Sequence, residues 1–326
     1  MRRLILTNHQ SPGDIVMLTA AVRDLHLCYP GQFVTDVRTP CAQLWDGNPF
    51  ITSLSESDPD TEPIYCHYPL VHSSNAIPVH FLEGFIEYLN RELDREIQIS
   101  VFRGDIHLSD EERRWPPLLE NAVGEEFQYW LVCAGGKSDF TVKWWDTARY
   151  QQVVDAFAGR IVFVQIGGAG HHHPPLENVI DLRGCTDLRQ LIQLVHHAEG
   201  VLTPVSLAMH LAAAVEGRPG RPLNRPCVVV AGGREPPHWE AYPHHQFIHT
   251  VGALRCCDNG GCWKARTLPL GDGDPGDLPE NLCVDVRGNL PACMDLITAD
   301  DVVRRIDYYR KGGVLSGCHG DSQGTV

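Results

Sequence analysis

The stretch Tyr129–Gly168, YWLVCAGGKSDFTVKWWDTARYQQVVDAFAGRIVFVQIGG, holds one strand–helix–strand unit. YWLVCAGG is a short apolar run closed by two glycines and reads as a buried strand. TARYQQVVDAFAG is periodic at helical spacing, begins near Thr147 and is closed by Gly159, so it reads as a helix. RIVFVQIGG is a second apolar run, ending in Gly167 and Gly168. A helix between two strands of this kind predicts a parallel sheet with helices on its faces.

The same rhythm continues on both sides. Downstream come the helix DLRQLIQLVHHAEG, the strand GVLT, the helix SLAMHLAAAVEG and the strand PCVVVAGG. Upstream come the strand RLILTN, the helix SPGDIVMLTAAVRDLHLCYPG with its Pro-Gly stop, and the strand QFVTDVR. YPLVHSS reads as another strand and HFLEGFIEYLNREL as an amphipathic helix. The charged LSDEERRWPPLLENAVGEE reads as a connector, after which the pattern restarts. The expected fold class is α/β, with two doubly wound, Rossmann-like halves facing across a cleft. They span residues 1–126 and 127–298, and a final helix and polar tail occupy 299–326. In such folds ligands sit beyond the carboxyl ends of the strands.

Bulk properties narrow the function. Of 326 residues 43% are hydrophobic and 21% charged, as in a globular protein, and the formal net charge is −14. That balance argues against sequence-independent nucleic-acid binding, which needs a basic footprint. The opening MRRLILTNHQ lacks the long apolar region of a signal peptide. The longest mainly apolar run, VLTPVSLAMHLAAAV, contains Pro204 and His210 and is too short to span a bilayer. A cytoplasmic protein without a transmembrane segment is expected, with its cysteines mostly reduced.

Four stretches carry candidate chemistry. Gly13 and Asp14 fall between the first strand and first helix, where Asp14 either caps the helix or projects as a general base. Lys143 precedes a helix, a poor place for a cation unless it faces an anion. In TPVSLAMHLAAA, Ser206 and His210 are four apart and share a face, one turn from a helix N-terminus that suits an anion. His210 is either a ligand to phosphate or ribose or a satisfied core histidine. In GGAGHHHPP, three adjacent histidines in a loop are poorly arranged for one ion, and a solvated or cleft-lining loop is preferred.

Together these stretches resemble the glycosyltransferase family 9 of ADP-heptose:lipopolysaccharide heptosyltransferases, whose fold is GT-B. The family's Gly-Asp before its first helix matches Gly13-Asp14, and the resemblance implies that Asp14 is the catalytic base. Its Lys-x-Trp-Pro resembles Lys143-Trp144-Trp145-Asp146, implying that Lys143 contacts the nucleotide phosphates; the proline is absent here. Its Asp-Thr-Gly-x-x-His-x-Ala-Ala resembles the segment from Val205 to the alanines after His210, with the aspartate and glycine replaced by Val205 and Leu207. The implied donor-binding set is Gly13, Lys143, Trp145, Gly167, Gly168, Thr203, Ser206 and His210.

Five of the twelve cysteines fall between residues 256 and 293. Cys257, Cys262, Cys283 and Cys293 are spaced C-x4-C-x20-C-x9-C, with Cys256 competing for the first place, and two loops bearing two thiolates each can enclose one tetrahedral ion. The other cysteines, Cys318 among them, are scattered and read as core or loop thiols. The cluster is similar to the cysteine-rich segment of bacterial autotransporter protein heptosyltransferases, whose thiolates hold iron; iron and zinc both suit four sulfurs. A closed four-thiolate site leaves no position for substrate, so the ion is expected to be structural.

The leading expectation is an inverting glycosyltransferase that moves a heptose from ADP-heptose to an acceptor hydroxyl on a glycan, protein or small molecule. No divalent ion is required for transfer, and a homo-oligomer is compatible with the autotransporter relatives. Two other readings stay open: a sugar-nucleotide epimerase or hydrolase on the same fold, and a non-catalytic, metal-stapled nucleotide-sugar binder. Asp14 separates these classes, because a pure binder needs no carboxylate at the sheet edge.

Overall fold

The first strand, β1 (Arg2–Thr7), runs into α1 (Pro12–Cys28) and returns as β2 (Phe33–Arg38). β3 (Thr61–Tyr65), α2 (Phe81–Leu93) and α3 (Pro117–Val123) follow. The three strands form one parallel sheet in the order β2-β1-β3. The structure is a computed structural model that describes residues 1–67, 70–123 and 126–313.

The second sheet has six parallel strands: β4 (Tyr129–Val132), β5 (Val162–Gln165), β6 (Ile180–Asp181), β7 (Gly200–Pro204), β8 (Cys227–Gly232) and β9 (Gln246–His249). Their order is β6-β5-β4-β7-β8-β9, so the winding reverses between β4 and β7. Such a reversal opens a crevice at the carboxyl ends of the strands. The connecting helices are α4 (Thr147–Ala156), α5 (Leu188–His197), α6 (Leu207–Ala214) and the short α7 (Pro237–Glu240). The molecule is thus a mixed α/β fold built on parallel sheets.

Local chemistry sets the helix starts. Asp146 caps α4 by accepting from the Ala148 N–H at 2.8 Å. At α5, Asp187 accepts from the Gln190 N–H at 2.8 Å while Gln190 accepts from the Asp187 N–H at 2.9 Å, a reciprocal box.

Strand alternation then divides the core. Tyr129, Leu131, Val201 and Val229 face the α5 and α6 side, in an apolar cluster that continues through α1 and α2 to Leu4 and Leu6 of β1. Trp130, Val132, Leu202, Val228 and Val230 face the other way, under α4 and α9 (Ala299–Arg310). α1 packs directly on the alanine-rich α6. At Gly104 a Cβ would lie 2.5 Å from Val16 Cγ1 and 3.0 Å from Ala214 Cβ, so only glycine lets the chain pass there.

Between β9 and α9 the chain is mostly irregular, with a two-residue hairpin, β10 (Val286–Arg287) and β11 (Leu290–Pro291), and one helical turn, α8 (Ala292–Asp295). Its acidic loop folds around Arg266, whose guanidinium reaches Asp272 at 2.7 Å and Asp277 at 2.6 Å. The arginine takes the place a cation would occupy among these carboxylates.

One expected strand changes. In YPLVHSS, Val71–Ser73 form a 3-10 turn, while Tyr68 and Pro69 lie outside the described residues. The third strand is instead TEPIY, an edge strand that tolerates Pro63 because its outer side needs no ladder partner. Pro204 ends β7, and α6 begins at Leu207 behind the Ser206 cap. The polar tail with Cys318 lies outside the described residues. Among the described residues no helix is long and apolar enough to cross a membrane.

Candidate functional site

Asp14 sits in the first turn of α1, just beyond the carboxyl end of β1. Its Oδ2 accepts from the Ser11 N–H at 2.8 Å, so it does brace the helix start, as the third residue and not as the cap itself. That bond engages one oxygen. Burial pushes the Asp14 carboxyl up to about 6, against the Ser11 hydrogen bond and the lysines Lys143 and Lys137, which favour the charged form. A carboxylate with that value is largely ionised at neutral pH yet basic enough to take a proton.

Gly13 explains the approach of the two halves here. A Cβ at this position would lie 2.9 Å from His210 Cδ2, so the first turn of α1 rests against the imidazole only because the residue is glycine. His210 projects from α6 and is buried. Its Nδ1 lies 3.0 Å from the Tyr242 hydroxyl, and that hydroxyl donates to Met17 Sδ at 3.2 Å. On the other side of the ring, Nε2 faces Glu240 Oε2 at 3.5 Å. Burial pushes His210 down to about 3, so it is neutral at pH 7, and burial with the nearby Glu235 charge pushes the Glu240 carboxyl well above its ordinary value. His210 is therefore a neutral, oriented imidazole and not a cationic phosphate clamp.

Lys143 provides the cation. It ends a 3-10 segment, Ser138–Lys143, before α4, and its Nζ lies 2.7 Å from Glu235 Oε1. Arg234 pairs with the same oxygen. Burial pushes the Glu235 carboxyl up, but Lys143 and Arg234 outweigh it and hold the group below its ordinary value. The Arg234 guanidinium stacks between Phe140, 4.6 Å from the ring centre, and Trp263, 5.2 Å away. Glu235 Oε2 and Glu240 Oε2 are buried without a hydrogen-bond partner.

Thus Gly13, Asp14, Lys143 and His210 come together, joined by Arg234, Glu235, Glu240 and Tyr242. The latter four lie in GGREPPHWEAY, directly after the strand PCVVVAGG. The same strand-end rule that singled out Asp14 points to this segment too.

The remaining donor candidates divide. Thr203 is the penultimate residue of β7, and its hydroxyl lies 2.7 Å from that of Ser206, which caps α6 by accepting from the Ala208 N–H at 3.3 Å. Gly167 and Gly168 follow β5 and are covered by the histidine loop: a Cβ on Gly167 would meet the His173 ring at 2.5 Å, and one on Gly168 the His171 ring at 2.6 Å. That loop pairs with the end of β4 through Gly136 and His172, and His172 stacks on Trp144 at 4.2 Å. Trp145 points elsewhere. It is buried in the α4–α9 core and donates its Nε1–H to the Ile297 carbonyl at 3.1 Å, so Trp144 is the tryptophan beside this loop.

The cysteine segment closes around a cavity of about 10 Å³, lined by Cys256, Cys262, Cys283 and Cys293 together with Gly233, Arg234 and Lys264. That is room for one water-sized particle. Cys257 lies behind this lining: its thiol donates toward the Leu254 and Thr250 carbonyls at 3.4 and 3.6 Å, and its sulfur still packs against Gly233 and hydrogen-bonds with Cys256. Burial pushes the Cys256 thiol up to about 11 and Cys293 to about 12. Among the described residues no three cysteine, histidine or acidic side chains converge at metal-binding distances.

No protein-family model and no curated protein matches the chain. Solved structures do. A glycosyl transferase of family 9 from Veillonella parvula DSM 2008 superposes with a TM-score of 0.66 at 14% identity, over 96% of this chain and 98% of that one. The iron-containing dodecameric glycosyltransferase TibC of enterotoxigenic E. coli H10407 gives 0.63 at 16% identity, over 95% and 78%. E. coli ADP-heptose lps heptosyltransferase II gives 0.54 at 15% identity, over 96% and 100%. At such identities the likeness is one of fold.

Proposed function

We propose that the chain is an inverting glycosyltransferase of the GT-B type, with residues 1–126 on the acceptor side and 127–298 holding a nucleotide-diphosphate sugar. One observation carries the reading: a partly buried carboxylate tuned to about 6, Asp14, shares a site with a lysine from the other half of the chain, Lys143. Base and cation at separate sheet ends suit a displacement in which one bond forms as another breaks.

The acceptor hydroxyl attacks the anomeric carbon from the face opposite the diphosphate. The bond from that carbon to the diphosphate oxygen breaks, and its electron pair leaves with the diphosphate. Asp14 takes the hydroxyl proton. Lys143, with the N–H groups at the start of α6, meets the charge that grows on the leaving group. His210, held neutral by burial and positioned by Tyr242, faces sugar or ribose hydroxyls together with Glu240. The likeness to heptosyltransferases, one solved with ADP and another with ADP-heptose, supports ADP-heptose as donor. Calorimetric titration with ADP, UDP, GDP and dTDP tests the donor. ADP binding tightest supports the reading, and tight binding of another base alone moves the donor elsewhere.

The cysteine cavity fits a structural ion by its donor set. Four thiols surround a space for one particle, and a bound cation would deprotonate them despite their burial. Cys256, Cys262, Cys283 and Cys293 are the proposed ligands to iron or zinc, with Cys256 favoured over Cys257 by its place on the cavity wall. Purified protein should carry about one iron or zinc per chain, and Cys283→Ser should lose it. Folded, metal-free protein with all thiols titrating would reject the site.

A further inference from the structure

The second sheet has a pocket at the end opposite the site described above. It measures about 360 Å³ and lies under the amino ends of β4 and β8, against Tyr129, Trp130 and Pro226. Among the described residues its walls carry Arg160, Arg218, Arg221, Arg225 and Arg310 against a single carboxylate, Glu199. This runs against the sign of a chain whose formal net charge is −14.

The charges here do not cancel. Arg218 and Arg221 reach the same oxygen of Glu199, at 2.7 and 2.8 Å. Arg160 and Arg310 share Asp307 at 3.9 and 3.5 Å. Arg225, which is buried, has no carboxylate; its nitrogens donate to the carbonyls of His196, Ala198, Ala212, Val215 and Glu216 at 3.0 to 3.3 Å. Those carbonyls lie at and just beyond the last turns of α5 and α6, so two helix dipoles hold that cation in place. Among the described residues, five arginines against two carboxylates leave an excess of three positive charges around the pocket.

We propose that this pocket binds a small phosphate-bearing anion, a phosphomonoester or a diphosphate, apart from the reacting residues. Planar arginine forks match phosphate oxygens two at a time, and the excess charge matches an anion of that kind. The volume is at the lower end for small-molecule sites and excludes a folded partner. The pocket lies at the amino ends of the strands, so it is not the crevice in which such sheets bind their main ligand.

The test is calorimetric titration of the full chain with inorganic pyrophosphate. A Lys143→Ala/Glu235→Gln background removes the lysine of the other site without leaving an unpaired buried acid. Saturable one-to-one binding is expected, weakened about tenfold or more by Arg218→Ala and likewise by Arg221→Ala, both outside the core. Absence of binding in that background, or binding that neither substitution changes, would overturn the proposal. Tighter binding of a poly-glutamate peptide than of pyrophosphate would overturn the phosphate assignment.

Discussion

Asp14→Asn is expected to lower kcat for transfer by about 10²- to 10⁴-fold, the range of a lost general base. The amide oxygen of the new side chain can still accept from the Ser11 N–H, so α1 keeps its start. The same change should stabilise the fold above neutrality. Burial raises the folded-state value of Asp14 from 3.8 to about 6, so ionising it costs about 3 kcal/mol in the fold relative to the unfolded chain. A carboxyl with a raised folded value contributes stability below its unfolded value and loses it as pH rises through the folded one. A neutral amide avoids that loss. Thermal unfolding should therefore show little difference at pH 4 and a higher Tm for the variant at pH 8, while wild-type kcat/KM rises with pH through about 6. A variant that is fully active, or equally stabilised at both pH values, contradicts the assignment.

Lys143→Ala is expected to have two separable effects. Transfer should fall by about 10²- to 10³-fold, because the cation that meets leaving-group charge is gone. Stability should fall by about 2 kcal/mol, because buried Glu235 keeps only Arg234 as partner. The double variant Lys143→Ala/Glu235→Gln should recover stability, since a neutral amide needs no cation, and should not recover activity. Chemical denaturation alongside steady-state kinetics reads both. Recovery of activity in the double variant would show that Lys143 acts only by holding Glu235.

What the sequence made legible follows from how each element is buried. β4, β5, β7 and β8 are apolar nearly throughout and bounded by glycine or proline, so they could be read, whereas the two-residue β6, half of it Asp181, could not. β3 could not, because TEPIY is a polar edge strand with a proline inside it. Asp14 and Lys143 were legible as charges beside helix starts. Glu235, Glu240 and Tyr242 were not, because they lie in and around the single-turn, proline-led α7, which reaches Asp14 and His210 only through tertiary packing. Adjacent pairs defeated spacing arguments for one reason: the backbone phase decides which side chain turns inward. Trp145 went to the core and Trp144 to the loop; Cys256 lines the cavity while Cys257 sits just behind its wall.

The most direct test of the account is to incubate the full chain with ADP-heptose and follow ADP release and the configuration of the released or transferred sugar by NMR. The account predicts slow ADP release without acceptor, abolished by Asp14→Asn, and a product inverted at the anomeric carbon. Retained configuration, or release that Asp14→Asn leaves unchanged, would contradict it.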